Sequence, residues 1–477
     1  MLPIMRSVMQ TILRKLVRNS YLKRIAAYSK KSAPFLGVFV VAGIAVVVAL
    51  AALFTNKPFD PKKPDVYEDQ LFRAIVDIDL NLQEPDIPDR LCTISDFGAS
   101  RFSASDVTRA IEAAIASCAE AGGGKVVIPA GDWEAYPFAL ADHIELFLEE
   151  GARLSFGDDV RHYGEPILWR FEGVRMQMTP PLISCVGCRD VAIRGKGVIR
   201  GNAALWEPYA EREEWWFRVL YGESEEREDI EERTVLQLPE DSFRPEVIGF
   251  SRSTNVAIED ITVEDAPRSG IRILMSYDVA LRDIAVSTNA FEGDAIVLDS
   301  SDGVLVKNVS LASSQGEGIS LQAGLNAEGH GMDEHPLQRI RLEDVRITRA
   351  RYGIAVDRAM SAGMNRIVVD GADVSDAEHA LAVHVPEDVY GEVEYAVFSD
   401  IRGTEISGES LVSFDVAYDD PLINSLRRKR ASTTFESIYF SNIGNGTEGV
   451  FDFRNLDHSG VHASRIFVGT KSVTAEK

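Results

Sequence analysis

Asp294 and Glu317 open two segments of the same form, Asp294-Ala-Ile-Val-Leu and Glu317-Gly-Ile-Ser-Leu. Three more segments share it: Ser269-Gly-Ile-Arg-Ile, Tyr352-Gly-Ile-Ala-Val and His379-Ala-Leu-Ala-Val. Stacked as parallel strands roughly 4.8 Å apart, their first residues form a column with Asp294 beside Glu317. Tyr352 and His379 continue that column, and Arg351 and His384 lie close to it. Two carboxylates so close resist double ionisation, so one keeps its proton as a potential acid while the other stays a potential base. Asp294 and Glu317 are therefore the candidate catalytic pair, and Arg351, Tyr352, His379 and His384 are candidate substrate-binding residues. The plainer reading is that acids on the rim of a coil are simply solvated.

The elements that must hold this column are themselves repeated. Alternating aliphatics precede each segment: Val256, Ile258, Ile261, Val263; Val279, Leu281, Ile284, Val286; Val304, Val306, Val309, Leu311; Ile340, Leu342, Val345, Ile347; and Ile367, Val369, Ala372, Val374. A polar or small residue divides each set, at Asp260, Asp283, Asn308, Asp344 and Gly371, as a turn requires. The repeats start 23, 25, 36 and 27 residues apart, so one coil recurs with loops of variable length, the pattern of a solenoid. Earlier coils are expected at 144–148, 152–156, 182–186, 191–193 and 198–199, and looser ones past 390. Residues 105–115 read as an amphipathic helix capped by Ser105 or Asp106 and ended by Gly122-Gly-Gly, well placed to cover the open end of the stack.

Several stretches of text carry a resemblance. They are Asp96-Phe-Gly-Ala, the helix from Thr108, Gly122-Gly-Gly-Lys-Val-Val-Ile-Pro-Ala-Gly131, residues 146–154, Gly197-Val-Ile-Arg-Gly201 and Arg244-Pro-Glu-Val-Ile-Gly-Phe250. In this order, over roughly residues 92–390, the chain resembles glycoside hydrolase family 28, the polygalacturonase-type right-handed parallel β-helix. The resemblance implies inverting hydrolysis by an acid and a base on opposite sides of a glycosidic bond. The family's site comes from Asn-Thr-Asp, Gly-Asp-Asp, Gly-His-Gly and Arg-Ile-Lys segments on successive coils. Here the first reads Glu292-Gly-Asp294, which keeps the base position at Asp294. The second reads Gln315-Gly-Glu317, with Gly316 where the general acid is expected. The third puts Arg351 at the His position, and the fourth, Ala382-Val-His384, drops the pair that would grip a uronate carboxylate.

Bulk properties narrow the setting. The net charge is −24, and the first 33 residues contribute eight Lys and Arg with no acid, leaving −32 on the rest. Such a surface repels polyanions, which argues against nucleic acid as a partner. No zinc ribbon, phosphate-cradling loop or dinucleotide turn is present, so no cofactor or metal is expected. His330, His335 and Asp333 form only a weak metal motif in a loop.

Residues 35–54 are uncharged and apolar, about 30 Å long as a helix, enough to span a bilayer. A cleaved signal peptide is the alternative, although the basic region before it is long for one. The expected domains are a basic amphipathic cytoplasmic segment at 1–33, a transmembrane helix at 34–54, a Pro-rich extended spacer at 55–90 with room for a short helix or strand at 75–82, an all-β, single-stranded parallel β-helix at 91–470 and a tail at 471–477. Residues 1–54 would contact lipid, and the β-helix would lie on the periplasmic or extracellular side. Cys92 and Cys118 could pair there, and Cys185-x-x-Cys188 reads as structural rather than metal-binding or redox-active. Residues 202–245 scatter Trp and Tyr among charges, as either a sugar-stacking wall or a loop packed on the solenoid. Arg427-Arg-Lys-Arg430 reads as an exposed loop.

Two functions fit this text. One is a carbohydrate-associated binding or scaffolding subunit at the membrane, without ordinary hydrolase activity, working on a glycan or with a membrane-protein partner. The other is a membrane-tethered glycosidase of altered specificity using Asp294 and Glu317.

Overall fold

A computed structural model describes residues 69–78, 80, 82–226, 243–325, 335–386, 389–418, 433–444, 451–454 and 461–469. The expected cytoplasmic segment, membrane helix, Arg427–Arg430 cluster and tail lie outside these residues, as do His330 and Asp333. Among the described residues no helix is long and apolar enough to cross a membrane.

Among the described residues twenty-six strands stack into one parallel solenoid. Register follows the aliphatic repeat: Val256 pairs with Val279, then Val304, Ile340, Ile367, Ala396, Ile438 and Ile466 along one ladder. Side chains alternate in direction along a strand, so one row per strand fills the interior. Ile258, Leu281, Val306, Leu342 and Val369 are fully buried there. The dividing residues do what their type allows. Asp260, Asp283, Asn308, Asp344 and Gly371 all turn the chain with positive φ, between 52° and 88°. Short polar side chains and glycine tolerate that left-handed conformation best. Asp400 and Asn442 continue the column through the later coils.

The capping helix runs Ala104–Glu120 and buries Val107, Ala110, Ile111, Ala114, Ile115 and Cys118. Its N-cap is Ser103, two residues before the earliest expected cap, because the Ser103 side chain accepts the Asp106 N–H at 3.2 Å. Gly122, at φ 92°, ends it as expected. A Cys92–Cys118 disulfide ties this helix to the first strand, and Cys185 is bonded to Cys188.

The spacer does hold a short helix, but it starts at residue 69, earlier than the 75–82 expected, and it packs on the coils. Helix Asp69–Val76 sets Phe72 and Ile75 against Val368, Val397 and Tyr439, with the Phe72 and Tyr439 rings 5.6 Å apart. Arg341 Nη1 donates to the Val76 carbonyl at 2.9 Å. Farther along, Glu84 pairs with Arg194 at 2.6 Å and Arg282 at 3.6 Å, and the Asp86 carbonyl meets His143 Nδ1 at 2.9 Å. The described residues between 69 and 90 thus form a strap running from late coils back to early ones. Apolar side chains every three or four residues and one well-placed acid outweigh the prolines that suggest a free linker.

The strands Ile167–Phe171 and Val174–Met178 form a separate antiparallel hairpin, which the repeat does not foretell. Glu172 and Gly173 make its turn, both at positive φ. Helix Ala210–Glu226 packs beside it, with Phe217 and Tyr221 buried and the Phe171 and Phe217 rings 5.9 Å apart. Of the two readings of 202–245, packing on the solenoid describes these buried aromatics, while Trp215 stays exposed.

Candidate functional site

Ladder register aligns six successive coils into one polar row. Ile271 pairs with Ile296, Ile296 with Ile319 and Ile319 with Ile354, and Tyr352 pairs with His379. Two residues before each isoleucine stand Ser269, Asp294, Glu317 and Tyr352. Leu381 pairs with Val412, which adds Ser410 beyond His379. The expected column of Asp294, Glu317, Tyr352 and His379 is therefore brought together.

At its centre the Glu317 N–H donates to Asp294 Oδ1 at 2.9 Å. Burial pushes the Glu317 carboxyl well above its ordinary range, helped by the Asp294 charge, a hydrogen bond to the Asp294 carboxylate and the charge of Asp357. Gly316 is held tightly, its N–H donating to Ser313 Oγ at 2.9 Å. A Cβ on Gly316 would lie 2.6 Å from the Gly293 carbonyl oxygen and 2.8 Å from Asp294 Oδ1. The backbone thus closes the position where the family resemblance expects an acid.

The four expected binding residues form one packed group. The Arg351 guanidinium lies over the Tyr352 ring at 4.9 Å and 4.0 Å from Glu378. His379 stacks on Tyr352 at 5.8 Å, and His384 meets it edge-on at 4.9 Å. Tyr352, 8% exposed, is too enclosed to serve as an open stacking platform. His379 Nδ1 donates to the Ser410 carbonyl at 2.8 Å, and His384 Nε2 contacts Ser413 Oγ at 2.8 Å. Burial first, then the neighbouring His379 and Arg351, lower His384 to about 4, so it is neutral near pH 7. It cannot replace a cation that grips a carboxylate.

A second layer of charge was not expected from the repeat. The hairpin and its neighbouring helix lie on the outer face of this sheet, where Arg170 bonds Asp299 and Ser300 at 2.7 Å each. Arg272 bonds Glu246 at 2.9 Å and reaches Asp299 and Gln322 at 3.3 Å. Glu172, at the hairpin tip, joins Arg268 to Arg358, the latter at 2.9 Å. Burial alone would raise the Glu172 carboxyl, but Arg358 and Arg268 hold it down at about 2. Trp169 covers Gly249, where a Cβ would meet its ring at 2.7 Å.

Burying Trp169, Phe171, Val174, Met176 and Met178 stabilises the closed hairpin by about 2 kcal/mol for each side chain. That is too much for a lid that lifts, so the hairpin is a fixed wall. Asp357 also enters the site, pushed up to about 6 by burial against the pull of Arg358, with Glu172 and Asp294 adding to the rise. Its outward position matches that of His384 one coil later, a signal visible in the strand alternation. Glu172 carries no such signal, because it sits in an insertion between coils. Among the described residues no three His, Cys, Asp or Glu side chains converge to hold a metal, and His335 Nδ1 instead contacts the Tyr277 hydroxyl at 3.1 Å.

No family model matches the chain. It is similar to a polygalacturonase from Malus domestica, 20% identical over 386 residues, covering 78% of this chain and 72% of that protein. Among solved structures it superposes on a hyperthermoactive exopolygalacturonase from Thermotoga maritima at a TM-score of 0.68 and 20% identity, covering 84% of this chain and 96% of that one. The family 28 exopolygalacturonase of Yersinia enterocolitica superposes at 0.56 and 16% identity, covering 80% and 78%. The fold is the polygalacturonase-type β-helix. The expected resemblance to family 28 is thus found in both comparisons, and at these identities the superposed structures speak for the fold alone.

Proposed function

We propose that the protein binds carbohydrate at the cell envelope as a non-hydrolysing subunit, held to the membrane by residues 34–54 with its β-helix outside the cytoplasm. One observation carries the loss of hydrolysis: a Cβ on Gly316 would meet the Gly293 carbonyl and the Asp294 carboxylate, so that position has no room for a separate acid. The two disulfides favour an oxidising compartment, in keeping with export. Lipid contact through residues 1–54 and a membrane-protein partner belong to the same reading.

A second reading, a tethered glycosidase with Asp294 as base and Glu317 as acid, draws on the protonated state of Glu317. The detergent-solubilised full chain separates the two. Binding of a glycan from a mixed neutral and charged panel, without release of reducing ends, is the expected outcome. Release of reducing ends that Asp294→Asn abolishes would overturn it.

A further inference from the structure

We propose that the polar row from Ser269 to Ser410 takes a glycan bearing free amino groups rather than a polyuronate. The inference rests on the carbohydrate-binding reading above and names the ligand class of that site.

The charges around the row decide it. Four carboxyl groups face it or flank it: Asp294, Glu317, Asp357 and Glu378. Of the nearby cations, Arg268 and Arg358 are bridged by Glu172, and Arg272 is taken by Glu246 and Asp299. Two nearby cations are well exposed, Arg351 beside Glu378 and Arg454 paired with Glu409 and Asp452. A ligand carboxylate would therefore meet more negative charge than positive. A ligand ammonium offers three donors to carboxylate acceptors, each a charge-assisted hydrogen bond.

A second observation points to a polar ligand on this row. The buried hydroxyls at its two ends, Ser269 Oγ and Ser410 Oγ, have no hydrogen-bond partner among the described residues. Both residues are at least 96% buried. A buried hydroxyl left unpaired is costly, and sugar hydroxyls donate and accept alike. Electrostatic relief acts in the same direction: a bound cation would offset the Asp294 charge that helps to keep the Glu317 carboxyl protonated.

The test is calorimetry on the detergent-solubilised full chain with three probes: the β-1,4 tetramer of glucosamine, the same tetramer fully N-acetylated, and tetragalacturonate. Binding of the glucosamine tetramer at least tenfold tighter than the other two is expected. Asp294→Asn and Glu378→Gln should each weaken it several-fold, while Glu112→Gln, on the distant capping helix, should not. Equal loss in Glu112→Gln would mean diffuse attraction to an acidic surface and would overturn the inference. Tighter binding of tetragalacturonate or of the acetylated tetramer would overturn it and leave the carbohydrate-binding reading standing. Failure of all three probes, and of the wider glycan panel, would overturn both. Circular dichroism on each variant separates lost affinity from lost fold, and Glu378, being half exposed, can change without disturbing the core.

Discussion

Asp357 and Glu317 are carboxyls that the folded chain prefers to keep protonated, and this makes stability depend on pH with a definite sign. Each has a folded pKa above its unfolded value, so its contribution is fully present below the unfolded value and is lost as pH rises through the folded one. For Asp357 that window runs from its ordinary range up to about 6. Asp357→Asn should therefore gain thermal stability over the parent as pH rises from 4 to 7, with no difference at pH 3. A difference that shrinks over that range would refute the assignment. Gly316→Asp is a second test at this scale. The new side chain must displace the Gly293 carbonyl or the Asp294 carboxylate, so the variant should lose about 1–3 kcal/mol in denaturant melts and gain no hydrolase activity. The row itself was legible in the text because each member stands two places before a buried aliphatic. The buried arginines were not, since their partners lie as far as 186 residues away in an insertion without a period.

Single elements show where the repeat ceases to inform. Coils with alternating aliphatics were readable because a parallel ladder repeats one choice at every level. The hairpin, helix Ala210–Glu226 and strap break the period, and only their contacts reveal their places. Phe72→Ala should remove about 3 kcal/mol of packing against Val368, Val397 and Tyr439. Amide exchange would show this as faster opening at 391–406 and 433–441, with 144–156 unchanged. Ser103→Ala should cost about 1 kcal/mol through the lost cap on the Asp106 N–H, read as a lower melting point for the whole domain. The misplaced cap came from weighing only Ser105 and Asp106, when Ser103 just before them is a third good capping type and the backbone trace selects it.

For the whole molecule, a solenoid is held by contacts between neighbours, so its ends open first. The Cys92–Cys118 link, spanning 26 residues, opposes that at the start of the stack. Its removal by Cys92→Ser with Cys118→Ser should cost about 3.5 kcal/mol by loop-closure entropy, and melting of the capping helix ahead of the later coils would be the visible sign. The membrane-spanning expectation belongs to this scale as well, and rests on the uncharged run at 35–54. The strap adds a matter of timing. Phe72 and Ile75 leave the ribosome long before Val368, Val397 and Tyr439 exist, so their seat is built late. Until the coils that carry Val368, Val397 and Tyr439 close, that short amphipathic helix has nowhere to dock, so its docking waits for most of the stack to be made.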